Sequence, residues 1–168
     1  MIQLKTFLFL VIFTIFGNVL FAQSHKDSLP NYQLIPTVPP FKLIMSPDSV
    51  VFIKDHLKKK RATIIMVFSP DCDHCVRSTE DLLAHYNLFK KVQIVMATSL
   101  GYSHVKKFYT DIKLIDYPNI KVGYDTSNFL GTFYEVRSFP AIFLYDKKGN
   151  FKKAFDANAK WETIAAAL

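Results

Sequence analysis

Cysteine is scarce in this sequence, with Cys72 and Cys75 alone among 168 residues. A framework of several disulfides is therefore ruled out, and no second Cys-x-x-Cys or His-x-x-x-His pair exists to build a structural zinc site. Glycine is also sparse, with five residues, and none of them forms a phosphate-cradling loop. The chain lacks a His-Glu-x-x-His signature and any Ser/His/Asp pattern, and it shows neither internal repeats nor low-complexity segments. Charged residues make up 21% and hydrophobic residues 50%, which excludes a disordered chain. A length of 168 residues suits one domain with one core.

A single apolar stretch approaches membrane length. Lys5 precedes the run Phe7–Phe16, Gly17 and Asn18 loosen it, and Val19–Ala22 completes it. A short basic start, a brief apolar run and a small residue at the end describe a secretory signal peptide over residues 1–22, cut after Ala22. Leu20 stands where a small residue is preferred. The alternative is an uncleaved anchor through residues 6–22, although a bilayer span needs about 20 apolar residues. No cysteine follows the run, so lipid attachment there is excluded. The expected location is extracytoplasmic and periplasmic.

Loss of residues 1–22 takes only Lys5 from the 21 Lys and Arg, leaving 20 against 14 acidic residues and a net charge of +6. A basic balance can signal nucleic acid or anionic lipid. Here the cations are scattered along the sequence, and the one dense run, Lys58–Arg61, reads as the solvated C-terminal end of a helix. No nucleic-acid partner is expected.

Residues 23–40 are polar and hold Pro30, Pro36, Pro39 and Pro40, which predicts a flexible leader before a domain spanning 41–168. Phe41–Ile44 reads as a short strand. Ser49–Leu57 reads as a helix, because Val50, Ile53 and Leu57 share one face. Thr63–Phe68 is a continuous apolar run, the mark of a strand buried on both faces. A helical pattern follows over Cys75–Phe89, through Val76, Thr79, Leu83 and Tyr86. Val92–Ala97 is the next strand, Tyr102–Tyr109 a helix and Ile120–Val122 a strand, while Asp111–Gly131 is otherwise mixed. Phe139–Tyr145 is a further buried strand. Asp146–Asn150 signals a hairpin to Phe151–Phe155, and Lys160–Leu168 closes the chain as a helix. This order predicts an α/β fold with a mixed central sheet, helices on both faces, and a C-terminal β-hairpin plus helix.

The cysteine spacing is informative. A bridge across two residues closes so small a loop that it is a poor staple, but it makes a useful redox switch. Thiol–disulfide exchange needs one thiolate to attack and a second thiol to resolve the mixed disulfide. Cys72 falls at a strand-to-helix junction, where the helix dipole and free N–H groups favour a thiolate. Cys75 follows one turn later. His74 lies between them, and a protonated imidazole there would favour the thiolate, whereas Asp71 and Asp73 would oppose it. The preferred reading for either acid is N-capping of the helix. Pro140 opens a strand far downstream, where a cis bond to Phe139 would leave adjacent backbone free to pair with an extended substrate.

Ile64–Cys75, reading Ile-Ile-Met-Val-Phe-Ser-Pro-Asp-Cys-Asp-His-Cys, resembles the active-site strand and helix start of the thioredoxin superfamily. Ser138–Gly149 resembles its cis-proline strand and hairpin. Combined with the export signal and the 68 positions separating Cys72 from Pro140, this is similar to the TlpA-like extracytoplasmic thiol–disulfide oxidoreductases. The resemblance implies a thioredoxin-like fold, catalysis by Cys72 and Cys75 as a redox-active pair, and support from His74, Pro140 and Phe139. It implies no cofactor. The partners would be protein thiols and disulfides of the same compartment, together with a membrane electron donor or acceptor. Asp71 replaces the tryptophan common before the first cysteine, Asp73-His74 replaces Gly-Pro, and Met66 stands in place of a buried carboxylate. The histidine resembles oxidising members, so the pair is expected to be more oxidising than the about −270 mV of thioredoxin.

Three rival readings remain. Cys72 and Cys75 with one or two of His25, His56, His74, His85 and His104 form a candidate zinc or copper site, though the four-ligand pattern is missing. A peroxidase of the peroxiredoxin kind normally keeps its resolver remote. A thioredoxin fold can also serve as a non-catalytic partner-binding module.

Overall fold

The central strands of this chain divide their side chains between two cores, one on each face of the sheet. The computed structural model describes residues 29–168; the expected signal segment 1–22 and leader residues 23–28 lie outside it. In chain order the elements are a helical turn α1 (Asn31–Leu34), strands β1 (Lys42–Met45), β2 (Val51–Ile53) and β3 (Thr63–Val67), and helix α2 (Asp73–Ala84). Strand β4 (Gln93–Thr98), helix α3 (Tyr102–Asp111), strand β5 (Ile120–Tyr124) and helix α4 (Phe129–Phe133) follow. Strands β6 (Ala141–Tyr145) and β7 (Phe151–Phe155) and helix α5 (Trp161–Ala166) complete the chain.

The seven strands form one sheet in the order β2-β1-β5-β4-β3-β6-β7. Strand β3 is parallel to β4, and β4 to β5, while β1, β2, β6 and β7 pair antiparallel with their neighbours. The step β3 to β4 to β5 moves the same way twice. Right-handed crossovers therefore place α2 and α3 on one face. There Ile64, Met66, Ile94 and Met96 meet Leu82, Val105, Phe108 and, from α5, Trp161. Ile65, Val67, Val95 and Phe143 point the other way, against Leu130 and Phe133 of α4 and Phe41. All five residues of β3 are buried, and burying each large one is worth about 1.5–3 kcal/mol. Gly123 permits the close approach of β1 to β5, because a Cβ there would lie 2.7 Å from Met45 Sδ and 2.9 Å from Leu43 Cβ.

Three expectations need correction. Ser49–Leu57 is not a helix: Ser49 takes φ 55°, Val51–Ile53 pairs with Lys42–Ile44, and only Lys54–His56 forms a 3-10 turn. Pairing across a hairpin overrides the apparent helical spacing of Val50, Ile53 and Leu57. Lys58–Arg61 consequently follows a 3-10 turn instead of ending an α-helix. The second half of the leader is docked. Tyr32 packs on Tyr134, Phe143 and Phe151, Val38 is 3% exposed, and Thr37 pairs with Asn150. Helix α2 also ends at Ala84, before a 3-10 turn at Tyr86–Phe89. Residues 129–133, which overlap the end of the mixed stretch, are helical because the buried Asp125 carboxylate accepts the Leu130 N–H at 2.7 Å.

Candidate active site

The carboxyl ends of the parallel strands are where an open α/β sheet offers a site, and β3 delivers the cysteines there. Phe68 N–H still donates to Ala97 C=O at 3.0 Å, and the chain then turns so that Cys72 N–H reaches Ser69 C=O at 3.2 Å. Cys72 is the N-cap residue of α2, with extended backbone (φ −102°, ψ 116°) and no side-chain cap. Its carbonyl accepts from Cys75 N–H at 2.9 Å and Val76 N–H at 3.0 Å. The first N–H groups of a helix lack intrahelical partners, so a sulfur at this point faces the positive end of a twelve-residue helix.

The two sulfurs differ in environment. Both cysteines are thiols, Cys72 half-buried and Cys75 buried. Burial pushes the Cys75 thiol up to about 12, a backbone hydrogen bond at Ser69 acts against this, and the neighbouring Cys72 raises it further. Cys75 is therefore a neutral thiol at ordinary pH. Behind it, Met66 is 0% exposed, so an apolar side chain fills the place where the resemblance sets a carboxylate.

The charged neighbours sit differently from the sequence expectation. His74 is exposed, and its Nδ1 accepts from the Arg77 guanidinium at 3.2 Å. Arg77 is thus a cation on the same helix as the pair and in contact with His74 that sequence reading missed; its i,i+3 spacing from His74 was the available signal. Neither acid acts as the N-cap, because Cys72 occupies that position. Asp71 instead meets His104 Nδ1 at 3.3 Å, a contact from α3 with no local sequence signal. Asp73 lies in the first turn of α2.

Pro140 is brought to the same end. Val67 of β3 pairs with Ala141 of β6, which sets Pro140 level with Phe68. The Phe139–Pro140 peptide is cis. Pro140 is buried, while Phe139 beside it is 41% exposed. Of the histidines in the metal reading, His74 and His104 lie at the cysteine end, His104 through its contact with Asp71, and His56 and His85 lie apart. His85 sits at the far end of α2, His56 lies against Phe52, and His25 is outside the described residues. Among the described residues the one grouping with metal-ligand spacing is Asp81, His85 and Glu162, which contains no cysteine.

Comparison with known proteins agrees with the fold. The sequence model of the thioredoxin-like domain matches residues 52–156. No curated protein matches the chain. A putative thioredoxin from Neisseria meningitidis aligns with TM-score 0.63 at 21% identity, covering 79% of this chain and 89% of that one. A secreted Mycobacterium tuberculosis disulfide oxidoreductase homologous to E. coli DsbE aligns with TM-score 0.61 at 18% identity, covering 77% and 96%. The peroxidoxin BcpB of M. tuberculosis aligns with TM-score 0.65 at 12% identity, covering 78% and 92%. At these identities the likeness to solved structures is one of fold. The family match spans well over half of the sequence, and the chain belongs to the thioredoxin-like domain family.

Proposed function

We propose that this protein is an exported thiol–disulfide oxidoreductase that exchanges disulfides in other extracytoplasmic proteins through Cys72 and Cys75. The observation that carries the reading is the asymmetry of the pair: Cys72 is accessible at a helix start, and Cys75 is buried and protonated one turn away. The Cys72 thiolate attacks one sulfur of a substrate disulfide, forms Cys72–S–S–substrate and releases the first substrate thiolate. Cys75 then gives up its proton to solvent and attacks the Cys72 sulfur. That step forms the Cys72–Cys75 disulfide and releases the second substrate thiolate, so two electrons have passed to the substrate. The reverse sequence oxidises a substrate dithiol. Phe139 and the backbone before Pro140 lie at the same end of the sheet as Cys72 and suit an extended partner segment.

Export rests on the basic start and apolar run of residues 1–22. No helix among the described residues is long and apolar enough to cross a membrane; an uncleaved anchor through residues 6–22 is the alternative to cleavage. A membrane electron donor or acceptor would then recycle the pair. Insulin reduction tests the activity. The protein should accelerate precipitation by dithiothreitol, and neither Cys72→Ser nor Cys75→Ser should do so; an intact protein no faster than dithiothreitol alone contradicts the proposal.

A further inference from the structure

Cations scattered along the sequence converge at one end of the folded sheet. Thr63, Gln93 and Tyr145 form a cross-strand row at the start of β3, and Val67, Ala97 and Ala141 form the row that leads to Cys72. The two rows are about 13 Å apart at the usual strand rise. Two clefts open beyond the Thr63 row. Lys54, Lys58, Lys59 and Arg61 line the first. Lys91 and Lys152 line the second, and Lys147 and Lys148 line both.

The only carboxylate residues lining them are Asp55 and Asp146. Asp146 is turned into its own hairpin, accepting the Lys148 and Asn150 N–H groups at 2.8 and 2.9 Å. Residues 29–168 hold 19 Lys and Arg against 13 Asp and Glu. With these eight cations and two acids set apart, eleven of each sign remain, so the net positive charge lies at this end. None of the eight forms a salt bridge with an Asp or Glu among the described residues.

We propose that this end docks on the anionic headgroups of a membrane surface and leaves Cys72 facing away from it. Apolar side chains are mixed with the lysines: Leu88 is 50% exposed and Leu168 40%, and both line the second cleft. Lysines around exposed apolar groups suit a lipid interface, where the chains enter the headgroup layer and the ammonium groups meet phosphates. Residues 36–38 are tied to this end of the sheet, because Val38 N–H donates to Gly149 C=O and Phe151 N–H to Pro36 C=O.

The test is partitioning of the full chain onto vesicles of pure phosphatidylcholine or of phosphatidylcholine mixed with phosphatidylglycerol. Affinity of residues 6–22 for bilayers is common to both, so the preference for anionic vesicles isolates the basic end. That preference should vanish in high salt. It should fall about 1,000-fold in the combined variant K58Q/K59Q/K147Q/K148Q and persist in K106Q/K107Q/K113Q/K160Q, which removes the same charge from residues lining neither cleft. Insulin reduction by the first variant should match the unaltered protein, separating this proposal from the redox reading. Equal partitioning onto both vesicles, equal loss in both variants, or binding to polyglutamate in preference to anionic vesicles overturns it.

Discussion

Arg77 Nη2 lies 3.2 Å from His74 Nδ1, so a guanidinium donates to the imidazole on the opening turns of α2. A guanidinium has no acceptor, and Nδ1 therefore carries no proton in this contact. The permanent charge of this pair belongs to Arg77, with His74 as its hydrogen-bond partner.

A stabilised thiolate makes a dithiol pair more oxidising. Arg77→Gln is accordingly expected to lower the reduction potential of the Cys72–Cys75 pair, by on the order of 10 mV because the charge is exposed and screened. His74→Pro should lower it as well, through loss of the group that positions Arg77. Glutathione redox titration of both variants provides the check, and an unchanged or raised potential in Arg77→Gln assigns the tuning to other groups.

The far end of α2 carries a pH-dependent tie. His85 Nδ1 lies 2.9 Å from the Asp81 carbonyl and Nε2 lies 3.0 Å from Glu162 of α5. The Asp81 carbonyl first, then the Glu162 and Asp81 carboxylates, raise the His85 pKa above its ordinary 6.5. A raised folded-state pKa means the contribution to stability is complete below 6.5 and disappears as pH climbs through the higher folded value. His85→Gln should thus reduce the melting temperature more at about pH 5.5 than at about pH 8.5. An equal reduction at both pH values would show that the imidazolium contributes nothing.

Trp161 fastens the closing helix to the core. It is 0% exposed, its Nε1–H donates to Ser78 C=O at 2.7 Å, and its ring meets Phe89 edge-on at 5.3 Å. Trp161→Ala should cost about 3–5 kcal/mol in urea unfolding. A loss below about 1 kcal/mol would place the helix outside the cooperative core.

Local pattern was sufficient where one segment carries its own signal. Thr63–Phe68 is apolar throughout because β3 is covered on both faces, and Cys72 is recognisable because strand and helix patterns meet there. Pattern failed where the partner lies elsewhere in the chain. Val50, Ile53 and Leu57 have helical spacing, yet Val51–Ile53 becomes a strand through pairing with Lys42–Ile44. Phe129–Phe133 is five residues long and depends on Asp125. At the site, the cysteines were legible, but the Asp71–His104 contact spans 33 positions. The convergence of Lys58, Lys91 and Lys147 likewise follows from the pairing of the strands their loops adjoin.

The assignment of Cys72 as the attacking sulfur is tested most directly by trapping the mixed disulfide. Purified Cys75→Ser and Cys72→Ser proteins are each mixed with a disulfide-bearing protein, quenched with acid and weighed by mass spectrometry. The buried, protonated Cys75 cannot begin the exchange on its own. Cys75→Ser should therefore accumulate a covalent adduct that dithiothreitol releases, and Cys72→Ser should accumulate none. Adducts on the Cys72→Ser protein, or on neither, would contradict the account.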